Sequence, residues 1–249
     1  MAEEIGAYKR DKGQPTRDYN REKQVIELAQ SHAKSLDVDT NLVVDLMQLL
    51  IKSSLKTQEF ARVKEEGQGS GKRALVIGGS GRMGGWFVEF LMLQGFTVDI
   101  ADPIESESGS RHYSTWEAAN DDYTITVVAA PLRQSIDILQ AMLTAKRRGI
   151  IFDIGSIKSP IQSILKNMAN IGMQVTSIHP MFGPDSDLLT GKQIIFMDID
   201  QQNTHQDVKK LFESTTAQLI DMSIENHDYA IAYVLGLSHM INIAFAKVL

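Results

Sequence analysis

Apolar residues recur at helical spacing near the start of the chain. Val25, Leu28, Ala29, Ala33 and Leu36 form one stripe after Asp18, and Leu42, Val43, Leu46, Leu49 and Leu50 form another after Asp39 or Thr40. A short polar side chain in front of such a stripe is a ready N-cap, so two helices are predicted, preceded by a helical stub over 1–12. Together they bury little and make a small all-α segment, 1–62. The run Lys64-Glu65-Glu66-Gly67-Gln68-Gly69-Ser70-Gly71 is charged and glycine-rich, so 63–72 reads as a linker.

Beyond it the period changes. Short apolar runs at 74–77, 97–101, 125–130, 150–154 and 175–178 predict strands, and helical patterns at 83–94, 133–146 and 159–170 alternate with them. Further strands at 194–197 and 218–221 flank a helix at 204–214. This βαβ rhythm predicts an α/β fold, a doubly wound and mostly parallel sheet over 73–222. The last stretch, 223–249, is apolar and helical and ends without a cap, so it reads as the start of a further helical domain. An apolar face over 233–249 predicts association.

Composition narrows the function classes. In 249 residues with 43% apolar side chains there is enough material for a core. A net charge of −6 and a pI near 5.5 speak against a nucleic-acid surface. With no cysteine, disulfides, thiol catalysis and cysteine-bound zinc are excluded, and no metal site is expected. Glu3 and Glu4, with no apolar run beside them, make the N-terminus neither a signal peptide nor a span, so a cytoplasmic protein without membrane or nucleic-acid partners is expected.

The first candidate chemistry is the turn Gly79-Ser80-Gly81-Arg82-Met83-Gly84, which follows a predicted strand and opens a predicted helix. Glycines there allow a tight turn, close approach to a pyrophosphate and helix–strand packing, and the helix N-terminus offers free N–H groups to phosphates. This makes the sheet Rossmann-type. Asp102, 21 residues beyond Gly81, stands where a carboxylate meets ribose hydroxyls and repels a 2′-phosphate, which favours NAD over NADP.

The second is Asp153-Ile154-Gly155-Ser156-Ile157-Lys158 after the fourth strand and His179-Pro180-Met181-Phe182-Gly183-Pro184-Asp185 after the fifth. Both sit at carboxyl ends of strands, where open parallel sheets bind ligands. His179, expected on a loop stiffened by proline and glycine, is either a structural histidine or a proton-transfer group. His239, among Leu237, Met240 and Ile241, is either packed in a core or directed at a ligand. His227 and Asp228 read as a helix cap.

Arg73 to Leu249, with G-G-x-G-x-M-G, D-x-x-S-I-K and H-P-M-F-G-P-D, followed by His227-Asp228 and His239, resembles prephenate dehydrogenase. The resemblance implies oxidative decarboxylation of prephenate to 4-hydroxyphenylpyruvate with hydride transfer to NAD, in tyrosine biosynthesis. It implies His179 as base, Ser156 beside the reacting hydroxyl, Lys158 by the nicotinamide or its ribose, and His239 on the substrate. It also implies a dimer-forming helical domain carrying a carboxylate-binding arginine, so the expectation is a chain that is part of a longer homodimeric protein. Arogenate dehydrogenase, which shares the mechanism, and a non-catalytic protein that binds NAD or an aromatic ligand are the alternatives.

A third set lies in the N-terminal helices: Lys9, Asp18, Arg21, Glu22, Ser54 and Gln58. By spacing alone it reads as a solvated, salt-bridged helix face. The pattern K-x8-D-x2-R-E followed by S-x3-Q nevertheless resembles the all-helical chorismate mutase, whose product is prephenate. That resemblance implies that Lys9 and Gln58 donate to the ether oxygen, Arg21 holds a carboxylate, and Glu22 with Asp18 takes the ring hydroxyl. The family's long first helix carries two further arginines, and Met1 falls near its end, so an incomplete mutase site is expected.

Overall fold

A computed structural model describes residues 2–105, 108–119 and 122–248. Three helices come first: α1 (Ala2–Asp11), α2 (Tyr19–Ser35) and α3 (Thr40–Glu65). Asp18 Oδ1 accepts from the Arg21 N–H at 3.0 Å and Asp39 Oδ1 from Asn41 at 2.8 Å, so both helices start at the expected caps. Leu28, Leu36, Leu42, Leu46, Leu49 and Leu50 are all more than half exposed, because nothing among the described residues covers that side of the α2–α3 pair.

The stretch read as a linker is partly helix and partly packed. α3 continues through Glu65, and Val63, 2% exposed, belongs to the core beneath the sheet. A Cβ at Gly67 would meet the Gln94 carbonyl at 2.4 Å and one at Gly69 the Phe96 ring at 2.3 Å. Glycine here serves close approach of two backbones.

The sheet has eight strands: β1 (Arg73–Ile77), β2 (Thr97–Ala101), β3 (Arg111–Tyr113), β4 (Ile125–Val128), β5 (Ile150–Asp153), β6 (Val175–Pro180), β7 (Gln193–Asp198) and β8 (Gln218–Ser223). They lie in the order β3-β2-β1-β4-β5-β6-β7-β8. All neighbours are parallel except β6 and β7. Successive side chains point to opposite faces. Val76, Phe152 and Phe196 meet α4 (Arg82–Leu93) and α7 (Gln202–Glu213), while Leu75, Ile151 and Met197 meet α5 (Leu132–Ala145) and α6 (Ser159–Asn170). This is the doubly wound Rossmann-type architecture. β3 escaped the sequence reading because a three-residue, half-exposed edge strand carries no apolar alternation.

β6 is longer than predicted. His179 and Pro180 are its last residues, paired with Ile195 and Ile194 of β7, so His179 lies in a strand and not on the following loop. Its antiparallel neighbour extends the ladder past the last parallel bond to β5, which pairs only as far as Ser177.

The terminal helix begins as α8 (Ile224–Ile231), loosens into a π-type turn over Ala232–Gly236, and continues as α9 (Leu237–Val248). Ile224–Lys247 is long and apolar enough, by length and composition, to cross a membrane. Its first turn is tied to α6 instead, Glu225 accepting from Lys166 and Gln162. Tyr233, Leu237, Met240, Ile243 and Phe245 are exposed.

Candidate active site

The glycine turn joins β1 to α4 at the carboxyl edge of the sheet. Gly78 has a φ of +80° and donates to the Ala101 carbonyl at 2.8 Å, so the tight-turn role expected of Gly79 falls to its neighbour. A Cβ on Gly84 would come within 1.9 Å of the Gly78 carbonyl oxygen, which leaves glycine as the residue that lets α4 pack here. Gly81 caps α4 without a side-chain hydrogen bond, so the first N–H groups remain available to an anion.

Asp102 directly follows β2. Its carboxylate accepts from Ser80 N at 3.2 Å and Ile104 N at 2.9 Å, and the Ser80 hydroxyl donates to the Ile104 carbonyl at 2.5 Å. Ser80, Gly81, Arg82, Met83, Gly84 and Asp102 line one cleft of about 760 Å³, together with Trp116, Ala129 and Pro131. That volume lies in the range of about 300–1,000 Å³ usual for small-molecule and cofactor sites. The Arg82 guanidinium is exposed and pairs with Asp185 at 2.7 Å.

His179 sits two strands beyond β4 along the same edge, and is 6% exposed. Its Nδ1 is 3.0 Å from Nε2 of His227, which is wholly buried; His227 Nδ1 is in turn 2.8 Å from Asp228 Oδ1. Asp228 also accepts from the Lys158 N–H at 2.8 Å, the Ser159 N–H at 2.7 Å and the Ser159 hydroxyl. These bonds hold its carboxyl well below the usual carboxylate range against the opposing pull of partial burial. The pair expected to cap the terminal helix therefore supports His179. Adjacency of His227 to an acid was the only sequence signal, and it could not show that α8 returns to the end of β6.

Lys158, expected by the nicotinamide or its ribose, has no exposed surface. Its Nζ is 2.7 Å from Asp153 Oδ2 and 2.8 Å from the Ile178 carbonyl oxygen. Asp153 further accepts from Gly155 N at 2.8 Å and the Ser177 hydroxyl at 2.5 Å. The ammonium thus braces the backbone one residue before His179; burial pulls its pKa below the usual lysine range, with Asp153 acting against this. His179 is itself pulled down to about 4, by burial first, then by the Lys158 charge and the neighbouring His227, with Asp228 opposing. Ser156 is exposed three residues past β5, on the edge that carries His179. His239 is exposed on α9 and not packed in a core, and it has no hydrogen bond or ion pair among the described residues.

The N-terminal set does not converge. Lys9 Nζ donates to the Thr16 carbonyl at 2.7 Å, Asp18 is spent as the cap of α2, and Arg21 reaches Gln24 at 3.3 Å. Glu22 is held by both ends of the Arg17 guanidinium at 2.9 and 3.0 Å, a partner absent from the predicted set. Gln58, 4% exposed, donates to Ser54 at 3.1 Å, and its Oε1 has no partner among the described residues. No hydrogen bond among the described residues joins Lys9, Asp18, Arg21 or Glu22 to Ser54 or Gln58.

Sheet order and glycine turn define a Rossmann-type nucleotide-binding fold, and comparison with known proteins agrees. Residues 105–221 match the family of the prephenate dehydrogenase nucleotide-binding domain, and residues 1–59 match chorismate mutase type II. The two matches do not overlap: one falls on the N-terminal helices and the other on the sheet. It is 24% identical over 246 residues to the T-protein of Enterobacter agglomerans, covering 98% of this chain and 63% of that protein. It is 25% identical over 185 residues to a probable arogenate/prephenate dehydrogenase of Methanocaldococcus jannaschii, covering 70% of this chain and 42% of the relative. The chain spans less than two thirds of the length of either. In fold it is similar to a prephenate dehydrogenase from A. aeolicus solved with hydroxyphenyl propionate and NAD+, with a TM-score of 0.59 at 23% identity over 72% of this chain and 69% of that one.

Proposed function

We propose that the polypeptide carrying this sequence oxidises prephenate with NAD, giving 4-hydroxyphenylpyruvate and carbon dioxide in tyrosine biosynthesis. The observation that carries this reading is a buried imidazole, backed by a hydrogen-bonded carboxylate, on the same sheet edge as a glycine-turn cleft. The lack of room for a Cβ at Gly84 and the uncapped start of α4 suit a pyrophosphate, and the Asp102 carboxylate suits two ribose hydroxyls and disfavours a 2′-phosphate. Bound NAD supplies the hydride acceptor.

In this reading His179 accepts the proton of the ring hydroxyl as the carbon beneath it is oxidised. Loss of the ring carboxylate as carbon dioxide returns an electron pair through the ring to that oxygen, which takes a proton back and becomes the phenol. Ser156 orients the hydroxyl, Lys158 braces β6 from behind, and His239 meets the substrate's far end. The exposed apolar face of α9 pairs with a second copy, which makes the assembly a homodimer, and its place is the cytoplasm, where its relatives' biosynthetic step fits. The helical segment carries an incomplete chorismate mutase set for the preceding step, Lys9, Asp18, Arg21, Glu22, Ser54 and Gln58.

Arogenate is the second substrate to consider, because the Methanocaldococcus jannaschii relative is named for both. The test is nicotinamide reduction with prephenate and arogenate, each with NAD and NADP. The reading expects prephenate with NAD to give the highest kcat/KM; binding of NAD without oxidation of either acid would leave a non-catalytic nucleotide-binding protein.

A further inference from the structure

A histidine serves as a base only through a ring nitrogen that has no proton, and hydrogen bonding at the other nitrogen decides which one that is. Here the decision can be followed from the far end. Asp228 is an ionised carboxylate that accepts from two backbone N–H groups and the Ser159 hydroxyl, so it can only accept from His227 as well. His227 Nδ1, 2.8 Å away, must then carry a proton. Burial lowers the pKa of His227 and keeps its ring neutral, although the bond to Asp228 works the other way. A neutral ring with its proton on Nδ1 has a lone pair on Nε2. That atom is 3.0 Å from His179 Nδ1, which therefore donates.

We infer that Asp228 and His227 are positioning residues that hold His179 in its Nδ1–H tautomer and so assign His179 Nε2 as the atom that takes the hydroxyl proton. This rests on the proposed role of His179 as base. The remaining charged groups nearby are Lys158 and Asp153, contributed by β5 and the turn into α6. Lys158 opposes a positive charge on His179 and Asp228 favours one. When Nε2 takes the proton, the resulting imidazolium still donates Nδ1–H to His227, and the charge faces Asp228 along the line of hydrogen bonds. The arrangement supplies what a third group supplies to a nucleophile–base pair elsewhere, with a second imidazole inserted between base and carboxylate. Asp228 takes its orientation from the Lys158 and Ser159 backbone, which binds the tautomer of a β6 residue to the start of α6.

The experiment reads the tautomer without turnover. In a nitrogen-15 long-range correlation spectrum of the folded protein at neutral pH, the ring assigned to His179 by its loss in His179→Asn should show a protonated Nδ1 and an unprotonated Nε2. In Asp228→Asn the side-chain amide can donate, which lets His227 present Nε2–H to His179 and should move the His179 proton to Nε2. Prephenate oxidation by that variant should fall by roughly a hundredfold or more in kcat with NAD affinity within about twofold. His227→Phe should lose kcat similarly, and His227→Gln, whose amide oxygen can accept near the position of Nε2, should recover it to within about tenfold. Should Asp228→Asn not fold, the His227 pair carries the test. A wild-type His179 ring protonated on Nε2, or full kcat in His227→Phe, would overturn the inference. Undiminished oxidation in His179→Asn would remove the base and leave the tautomer assignment standing.

Discussion

The Glu59 carboxylate of α3 accepts from the Leu189 backbone N–H at 3.0 Å, on the chain that returns from His179 to β7. Its other oxygen accepts from the Thr216 N–H at 2.7 Å and the Thr216 hydroxyl at 2.5 Å. Glu59 is 3% exposed and adjoins Gln58, so the last turns of α3 are fastened to the loops that lead into β7 and β8 by a buried acidic side chain. Lys56 adds an ion pair with Asp187 at 2.9 Å. Glu59→Ala leaves one buried and one partly buried N–H group without an acceptor and is expected to cost about 2–4 kcal/mol. Urea denaturation checks this; a loss within about 0.5 kcal/mol would mean water replaces the carboxylate at no cost.

Gly84→Ala is expected to abolish NAD binding and to destabilise the fold, since its Cβ would lie 1.9 Å from the Gly78 carbonyl oxygen and both atoms belong to packed backbone. Calorimetric titration with NAD together with thermal unfolding measures both effects. Gly183→Ala is the control, because its Cβ would meet nothing within 4 Å.

Stability should fall in weak acid. Burial, then Lys158 and His227, hold His179 near 4 in the folded state against 6.5 for a free imidazole. Between those values the unfolded chain binds a proton that the folded chain refuses, so the His179 contribution is full above pH 6.5 and is lost as pH falls toward 4. The slope reaches at most about 1.4 kcal/mol per pH unit for that single proton. Asp228, held below its unfolded value of 3.8, adds a further loss below that pH. Denaturation midpoints measured across this range should decline in the wild type and less steeply in His179→Asn; parallel profiles would contradict the assignment.

Replacing Asp102 by Asn or Ser should weaken NAD binding by roughly tenfold and narrow the preference over NADP, because the acceptor and the repelling charge go together. Binding titrations with both nucleotides decide this. Tighter NADP than NAD binding by the unmodified protein would contradict the role given to Asp102.

Chorismate rearrangement by this polypeptide is expected to be weak. In the folded chain Arg17 holds Glu22 and Arg21 bonds to Gln24, and neither Glu22 nor Arg21 is hydrogen-bonded to the Ser54–Gln58 pair. A chorismate depletion assay with rapid turnover would show that the set closes around its substrate.

The fold was legible wherever local pattern and tertiary burial coincide. Val76, Phe152 and Phe196 stand in continuous apolar runs because parallel strands are covered on both faces, and Gly84 falls where helix and strand touch. Legibility failed where the determining contact is distant in sequence. His227 lies 48 residues from His179 and Glu59 lies 130 from Leu189, and no periodicity encodes either pairing. The burial of Lys158 was hidden for the same reason: its spacing from Ser156 is visible, but the carbonyl of Ile178 that draws it inward is not.

The central claim is that His179 is the base of prephenate oxidation on an NAD-binding sheet, and nicotinamide reduction by His179→Asn tests it most directly. With saturating NAD, prephenate turnover should drop by roughly a hundredfold or more, while the NAD dissociation constant, measured separately, stays within about twofold of wild type. Near-normal turnover with the wild-type pH profile would contradict the account.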